Sequence, residues 1–163
     1  MMQNQADFKG SGKKEEFLSV RVAEQEYAMD IRRIREIRGW IASTHLPYAP
    51  DYIKGMINLR GTVLVVVDLA ARLGLGRTEP NPASVVVVVE HGERVAGLLV
   101  DAVCDIIAVT DDMRQNTPDT GSDVPKSYVE GLVMMDNRII SILSVAAVIP
   151  DERIQAMARE VAA

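Results

Sequence analysis

The chain has 163 residues, 48% of them hydrophobic and only 4% aromatic, with 23 acidic against 18 basic side chains. That supports one domain, or two small joined ones, around a core of Val, Ile and Leu, and the net charge of −5 argues against general nucleic-acid binding. A single cysteine excludes a disulfide framework, no apolar h-region marks a secretory leader, and no apolar run approaches the ~20 residues of a membrane helix, so a cytoplasmic protein without direct membrane insertion is expected.

Residues 1–14 are polar and Gly-containing and read as a disordered tail. A strand opens at Glu16 with Phe17, Val20 and Val22, and a turn at Glu24 and Gln25 leads into a second strand over 27–30. Ile31 and Ile34 lie three apart and share a face if this is one helical turn. Residues 36–41 alternate as a strand does, 46–50 form a loop, and 51–54 read as a helical turn stopped by Gly55.

The organising stretch is 52–74, YIKGMINLRGTVLVVVDLAARLG. Met56, Ile57 and Leu59 enter a strand, and Asn58, Arg60 and Gly61 supply a tight turn. Residues 63–67 are a continuous aliphatic run suited to a buried strand. Asp68 can cap a short helix over 69–73, because its carboxylate can accept from free first-turn N–H groups, and Gly74 stops it.

Residues 75–82 are Gly/Pro-rich and form a boundary. A strand over 85–89, a hairpin turn at His91 and Gly92, and a return over 94–100 follow. Residues 100–106 resemble 31–37 in their apolar and acidic positions. The polar segment 110–127 exceeds the usual loop length, which marks it as functional or mobile. Residues 151–163 close the chain as a helix with Ile154, Met157 and Val161 on one stripe.

A shift of 76 residues lays YVEGLVMMDNRIISILSVAA over the organising stretch. Tyr52 meets Tyr128, Gly55 meets Gly131, the turn Arg60-Gly61 meets Asp136-Asn137, and Asp68 meets Ser144, another capping residue. Shared turn, cap and tyrosine positions indicate an internal duplication. Five short Val-rich strands per copy close readily into a small barrel, giving one over ~15–80 and one over ~82–150.

No catalytic constellation is present. His45 and His91 have no partners at metal-ligand spacing, so no metal site is expected. Cys104 sits among aliphatic residues and reads as a buried, inert thiol. Gly74-Leu75-Gly76 lacks the rest of a phosphate loop, and Asp111-Asp112 lacks the other ligands of a calcium loop. Features suited to partners are more evident. Arg32, Arg33, Arg35 and Arg38 crowd around Glu36 near Trp40, and Arg60 at a turn suits bidentate pairing with a carboxylate such as Glu36. Residues 13–77 carry 11 basic and 8 acidic side chains, whereas 78–163 carry 6 and 14, as two different partner surfaces would require.

The successive segments EFLSVRV, EYAMDIRRIREIRGW, YIKGMINLRGTVLVVVDL, RVAGLLVDAVCDI and YVEGLVMMDNRIISIL resemble the CheW-like domain family, the coupling proteins of bacterial chemotaxis, over about residues 15–150. The pattern GxxNLRGxxxxxxDL is its most specific carrier. The domain also occurs in the histidine kinase CheA and in CheV, but this chain has no room for their added domains, so a stand-alone adaptor fits best. The resemblance implies a mainly β protein of two intertwined five-stranded SH3-like barrels, with short helices, a C-terminal helix and an apolar groove between the barrels. It implies no catalysis and no cofactor. One surface would bind the cytoplasmic tip of methyl-accepting chemoreceptors and others the CheA regulatory domain, recruiting the protein to membrane-associated receptor arrays.

Carried over by resemblance, Ile31, Ile34, Glu36 and Arg60 fall at the receptor-binding groove, and Gly55 and Gly131 mark turns assigned to kinase contacts. Asp68 and Ser144 are structural caps. A charge at Ile34 is expected to weaken receptor binding and leave the fold intact. Val65 stands where the family often has Pro, and Ser144 where it often has Asp; neither alters the expected fold. The rivals are an adaptor of a non-flagellar chemosensory pathway and a small nucleic-acid-binding barrel, which would need stacking aromatics on a basic face.

Overall fold

A computed structural model describes residues 14–116 and 125–162; the expected tail lies outside these except for Lys14, as does the middle of the long loop. In chain order come β1 (Glu15–Val22), β2 (Gln25–Asp30), a 3-10 turn (Ile31–Arg33), β3 (Ile34–Gly39), β4 (Ile53–Leu59), β5 (Thr62–Asp68) and α1 (Leu69–Arg72). Then follow β6 (Val85–His91), β7 (Arg94–Val100), β8 (Ala102–Val109), β9 (Arg114–Gln115), β10 (Val129–Met135), β11 (Arg138–Leu143), α2 (Val145–Val148) and α3 (Glu152–Ala162).

The strands form two sheets, ordered β3-β6-β7-β5-β4 and β8-β1-β2-β11-β10-β9. The first five positions of each repeat one pattern: an edge strand, an antiparallel hairpin, a parallel pairing, then the core hairpin. The duplicated strands sit in equivalent places. Val65 pairs in parallel with Ala96, and Ser141, 76 residues beyond Val65, pairs with Tyr27. The Asp68 amide donates to the Tyr52 carbonyl at 2.8 Å and the Ser144 amide to the Tyr128 carbonyl at 2.9 Å. Arg60 and Gly61 have φ of 53° and 86°, and Asp136 and Asn137 have 51° and 62°, as primed two-residue hairpin turns require.

Each sheet draws on both halves of the sequence. β1 and β2 join the sheet of β8–β11, while β6 and β7 join β3–β5. The segment 75–82 thus separates the copies in sequence and not the sheets in space, which is how the two become intertwined.

Alternation along the strands produces three cores. Ile57, Leu64, Val66, Val86, Val88 and Leu99 fill the five-stranded sheet. Phe17, Ala28, Ile107, Val109, Val133, Ile140 and Ile142 fill the six-stranded one. The opposite faces, with α1, α2 and α3, bury the largest cluster, including Val65, Val67, Leu69, Leu98, Leu143 and Ile154. Side chains at i and i+2 on β5 therefore face one core and those at i+1 the other, so these strands read as continuous apolar runs.

Three local expectations are corrected. Ile53 and Lys54 belong to β4 and not to a helical turn; only the Ile53 amide reaches back, to the Pro50 carbonyl at 3.0 Å. The β6–β7 turn is Gly92-Glu93, since His91 still pairs with Arg94. Cys104 is exposed. It is the unpaired residue of a bulge, because Ser19 pairs with Asp105 and Val20 with Val103, and the bulge turns its side chain out of the core alternation.

Candidate functional site

Arg60 is displayed by the β4–β5 turn, whose backbone is fixed by the Gly61 amide donating to the Asn58 side-chain oxygen at 2.9 Å. Its guanidinium forms a two-pronged pair with Glu36 of β3: Nη2 meets Oε2, and Nη1 donates to Oε1 at 3.5 Å. Arg38 donates to the same Oε1 at 3.3 Å. The hydrogen bond from Arg60 holds the Glu36 carboxyl below the usual carboxylate range; burial opposes this and Arg38 assists it. The pair rims a groove floored by Leu59, Leu64, Val88 and Val95. This is the mouth of the five-stranded sheet's core, with apolar contact at the floor and paired charges at the edge.

Ile31 and Ile34 do not share that groove. Both are half-buried against the main core. The separation comes from a bulge in β3: Ile34 pairs with Val89 and Glu36 with Val88, so Arg35 is the extra residue and the two expected groove residues face different sides. Ile34→Asp would press a carboxylate against the main core, so a loss of stability is expected to accompany any loss of binding. The turn that holds Ile31 instead supplies Arg32 and Arg33 to a second cleft, between the sheets, with Phe17, Leu143 and Val145 beneath. Asp30 caps this turn. It accepts from the Arg32 amide at 2.9 Å and from its guanidinium at 3.1 and 2.8 Å, and the side-chain bonds depress its pKa most.

Gly55 and Gly131 lie inside β4 and β10, not in turns, and both are buried. A Cβ on Gly55, where φ is +148°, would stand 2.5 Å from the Thr44 carbonyl oxygen, and one on Gly131 would stand 3.0 Å from that of Gln115. Close approach of a neighbouring backbone explains both glycines. Neither offers open surface to a kinase.

Asp68 and Ser144 occupy the N-caps of α1 and α2, accepting from the Ala71 amide at 3.4 Å and the Ala147 amide at 3.3 Å. Asp68 does more. Buried, it also accepts from the Thr78 amide and hydroxyl, each at 2.8 Å, and so ties down the segment after α1.

Sequence reasoning missed Arg72. Its guanidinium lies 4.2 Å from the Tyr52 ring centre and 5.1 Å from that of Tyr128, and it donates to the Ala147 carbonyl at 3.3 Å. It thus stacks on both duplicated tyrosines where the copies meet. The tyrosines were visible at the 76-residue offset; the odd position out was Arg72, which faces Val148 in the other copy.

The family model described as the CheW-like domain matches residues 16–153. The chain is 44% identical over 141 residues to the chemotaxis protein CheW of Rhizobium meliloti, covering 86% of this chain and 91% of that one. It is 30% identical to the chemotaxis protein CheW of Klebsiella aerogenes, covering 85% and 83%. The solved structure of the scaffolding protein TtCheW from Thermoanaerobacter tengcongensis superposes with a TM-score of 0.78 at 26% identity, covering 93% of this chain and 96% of that one.

Proposed function

The chain belongs to the CheW-like domain family, and on that premise we propose that it is a non-catalytic adaptor coupling chemoreceptor cytoplasmic tips to the regulatory domain of the histidine kinase CheA. The observation that carries the reading is the family match over nearly the whole described chain, with the NLRG turn presenting Arg60 against Glu36 at its centre. An apolar floor beneath a rim of paired charges suits a protein partner, since the floor rewards close packing and the rim penalises mismatched charge. The second cleft, between the sheets, supplies a separate surface with Arg32 and Arg33 at its edge, as a bridge between two partners needs. No described helix is long and apolar enough to cross a membrane, so residence at the membrane would come through the receptor.

The test is reconstitution of receptor fragments and kinase with and without the chain. Stimulated kinase phosphorylation and co-sedimentation that both require the chain are expected. A kinase whose rate and receptor association ignore it would remove the coupling role.

A further inference from the structure

α3 packs onto the start of β5 beside the Arg60-Gly61 turn. Ile154 and Ala158 enter the main core, and the Gln155 side-chain amide donates to the Val95 carbonyl at 3.2 Å. Between the helix and the turn lies a cleft lined by Gly61, Thr62, Val63, Val95, Gln155 and Ala158. Thr62 and Val95 also line the groove rimmed by Glu36 and Arg60. The helix and the ion pair therefore flank one hairpin turn from opposite sides. The other copy differs. Ile139, equivalent to the half-buried Val63, is 59% exposed, and among the described residues no helix lies over it.

We propose that α3 is a positioning element for the Arg60-Gly61 turn, and that it thereby holds Arg60 in register with Glu36. The exposed turn is held from within by the Gly61–Asn58 bond and the Leu59–Thr62 pairing; a helix anchored in the core adds a fixed wall from outside the hairpin. Gln155 is the link, joining α3 to β7 beside the shared floor residue Val95. The proposal deepens the reading of Glu36 and Arg60 as a partner surface and rests on it for its functional meaning, but its test needs no partner.

The experiment is backbone 15N relaxation on the isolated full chain, with Gly61 and Asn137 as matched reporters in equivalent turns. Gln155→Ala removes the link, and Asp151→Ala removes the cap that accepts from the Ile154 amide at 3.0 Å and steadies the first turn of α3. Both variants keep Ile154 and Ala158 in the core. The Gly61 order parameter is expected to fall from about 0.85 toward about 0.6, while Asn137 stays unchanged. An unchanged Gly61 in both variants, or equal loosening at both turns, overturns the proposal. Kinase stimulation assayed on the same variants and on Arg60→Ala separates the two readings. Loss only in Arg60→Ala, with Gly61 still rigid elsewhere, keeps the partner surface and removes the helix's role. A mobile Gly61 with full stimulation in every variant, Arg60→Ala included, keeps the helix's role and removes the partner surface.

Discussion

At the mouth of the five-stranded sheet's core, Val88 and Val95 leave an apolar floor beneath Glu36 and Arg60. At the equivalent places in the six-stranded sheet stand Ser19 and Glu26. The buried Ser19 hydroxyl donates to Glu26, which Arg138 also grips at 3.0 and 3.1 Å. One mouth has an aliphatic floor with its ion pair at the rim; the other carries its ion pair where the floor would be. Both sit on the same frame of turns, bulges and caps. Duplication thus preserved what the backbone needs and left the side chains at the mouth free to diverge, which is how one fold presents unlike surfaces.

The frame can be broken unequally at its two glycines. Gly55→Ala drives a Cβ into the Thr44 carbonyl at a backbone angle that L residues rarely adopt. A loss of about 3 kcal/mol is expected, the largest effect of any substitution considered. Gly131→Ala meets only Gln115, on the two-residue edge strand β9, which can shift; about 1 kcal/mol is expected. Urea denaturation of the two variants measures the difference, and equal midpoints would show that Gly55 is not constrained as its geometry implies.

The caps differ for another reason. Asp68→Ala strands the buried amide and hydroxyl of Thr78 as well as uncapping α1, for a loss of about 2 to 3 kcal/mol. Ser144→Ala uncaps α2 alone, for about 1 kcal/mol. Thr78→Val should reproduce much of the gap between them. If Thr78→Val is silent, the hydroxyl bond contributes nothing and the gap rests on the Thr78 amide.

These contrasts mark what was legible in the sequence. Turn, cap and strand positions repeat at 76 residues because each is set by a local requirement: φ above zero at Gly61, an acceptor at Asp68, an aliphatic run before it. The sheet to which β1 and β2 belong has no local signature, since the parallel pairing of β2 with β11 joins residues more than a hundred apart. The Thr78 bond and the Arg72 stack are nearer in sequence but equally without a periodic signal, since each depends on where a loop or a neighbouring copy comes to rest. Aliphatic neighbours suggested burial at Cys104, but a bulge turns it outward, and one at Arg35 puts Ile34 and Glu36 on different faces. Glu36 was readable as one plausible partner of Arg60, in this chain or another, and the fold brings the two together within the chain.

Arg138→Ala would sharpen the comparison of the two mouths. It leaves Glu26, whose side chain is 13% exposed, resting on Ser19 without its cation, for a loss of about 1 kcal/mol by thermal melt. A melt as flat as that expected for Arg60→Ala would make the two ion pairs equivalent and remove the distinction drawn between the mouths.

Arg60→Ala should disturb the fold least. The Arg60 side chain is 67% exposed, and exposed pairs add little to stability, so the melting temperature should stay nearly unchanged. The pair is still detectable by titration. Glu36 has a depressed pKa in the folded chain, so whatever the pair contributes is fully present above the ordinary glutamate value. It is lost as pH falls through the lower, folded value. The Glu36 carboxyl 13C shift should therefore titrate below the usual glutamate range. In Arg60→Ala it should move up toward that range, held back in part by Arg38, and in Arg60→Glu, which sets two carboxylates together, higher still. Kinase stimulation in the reconstituted assembly should fall in the same order, native above Ala above Glu, while the melts stay close. If the titration moves as stated but stimulation does not, the pair exists without serving coupling. A large melting shift with normal stimulation would make Arg60 architectural, as Arg138 is argued to be in the other mouth.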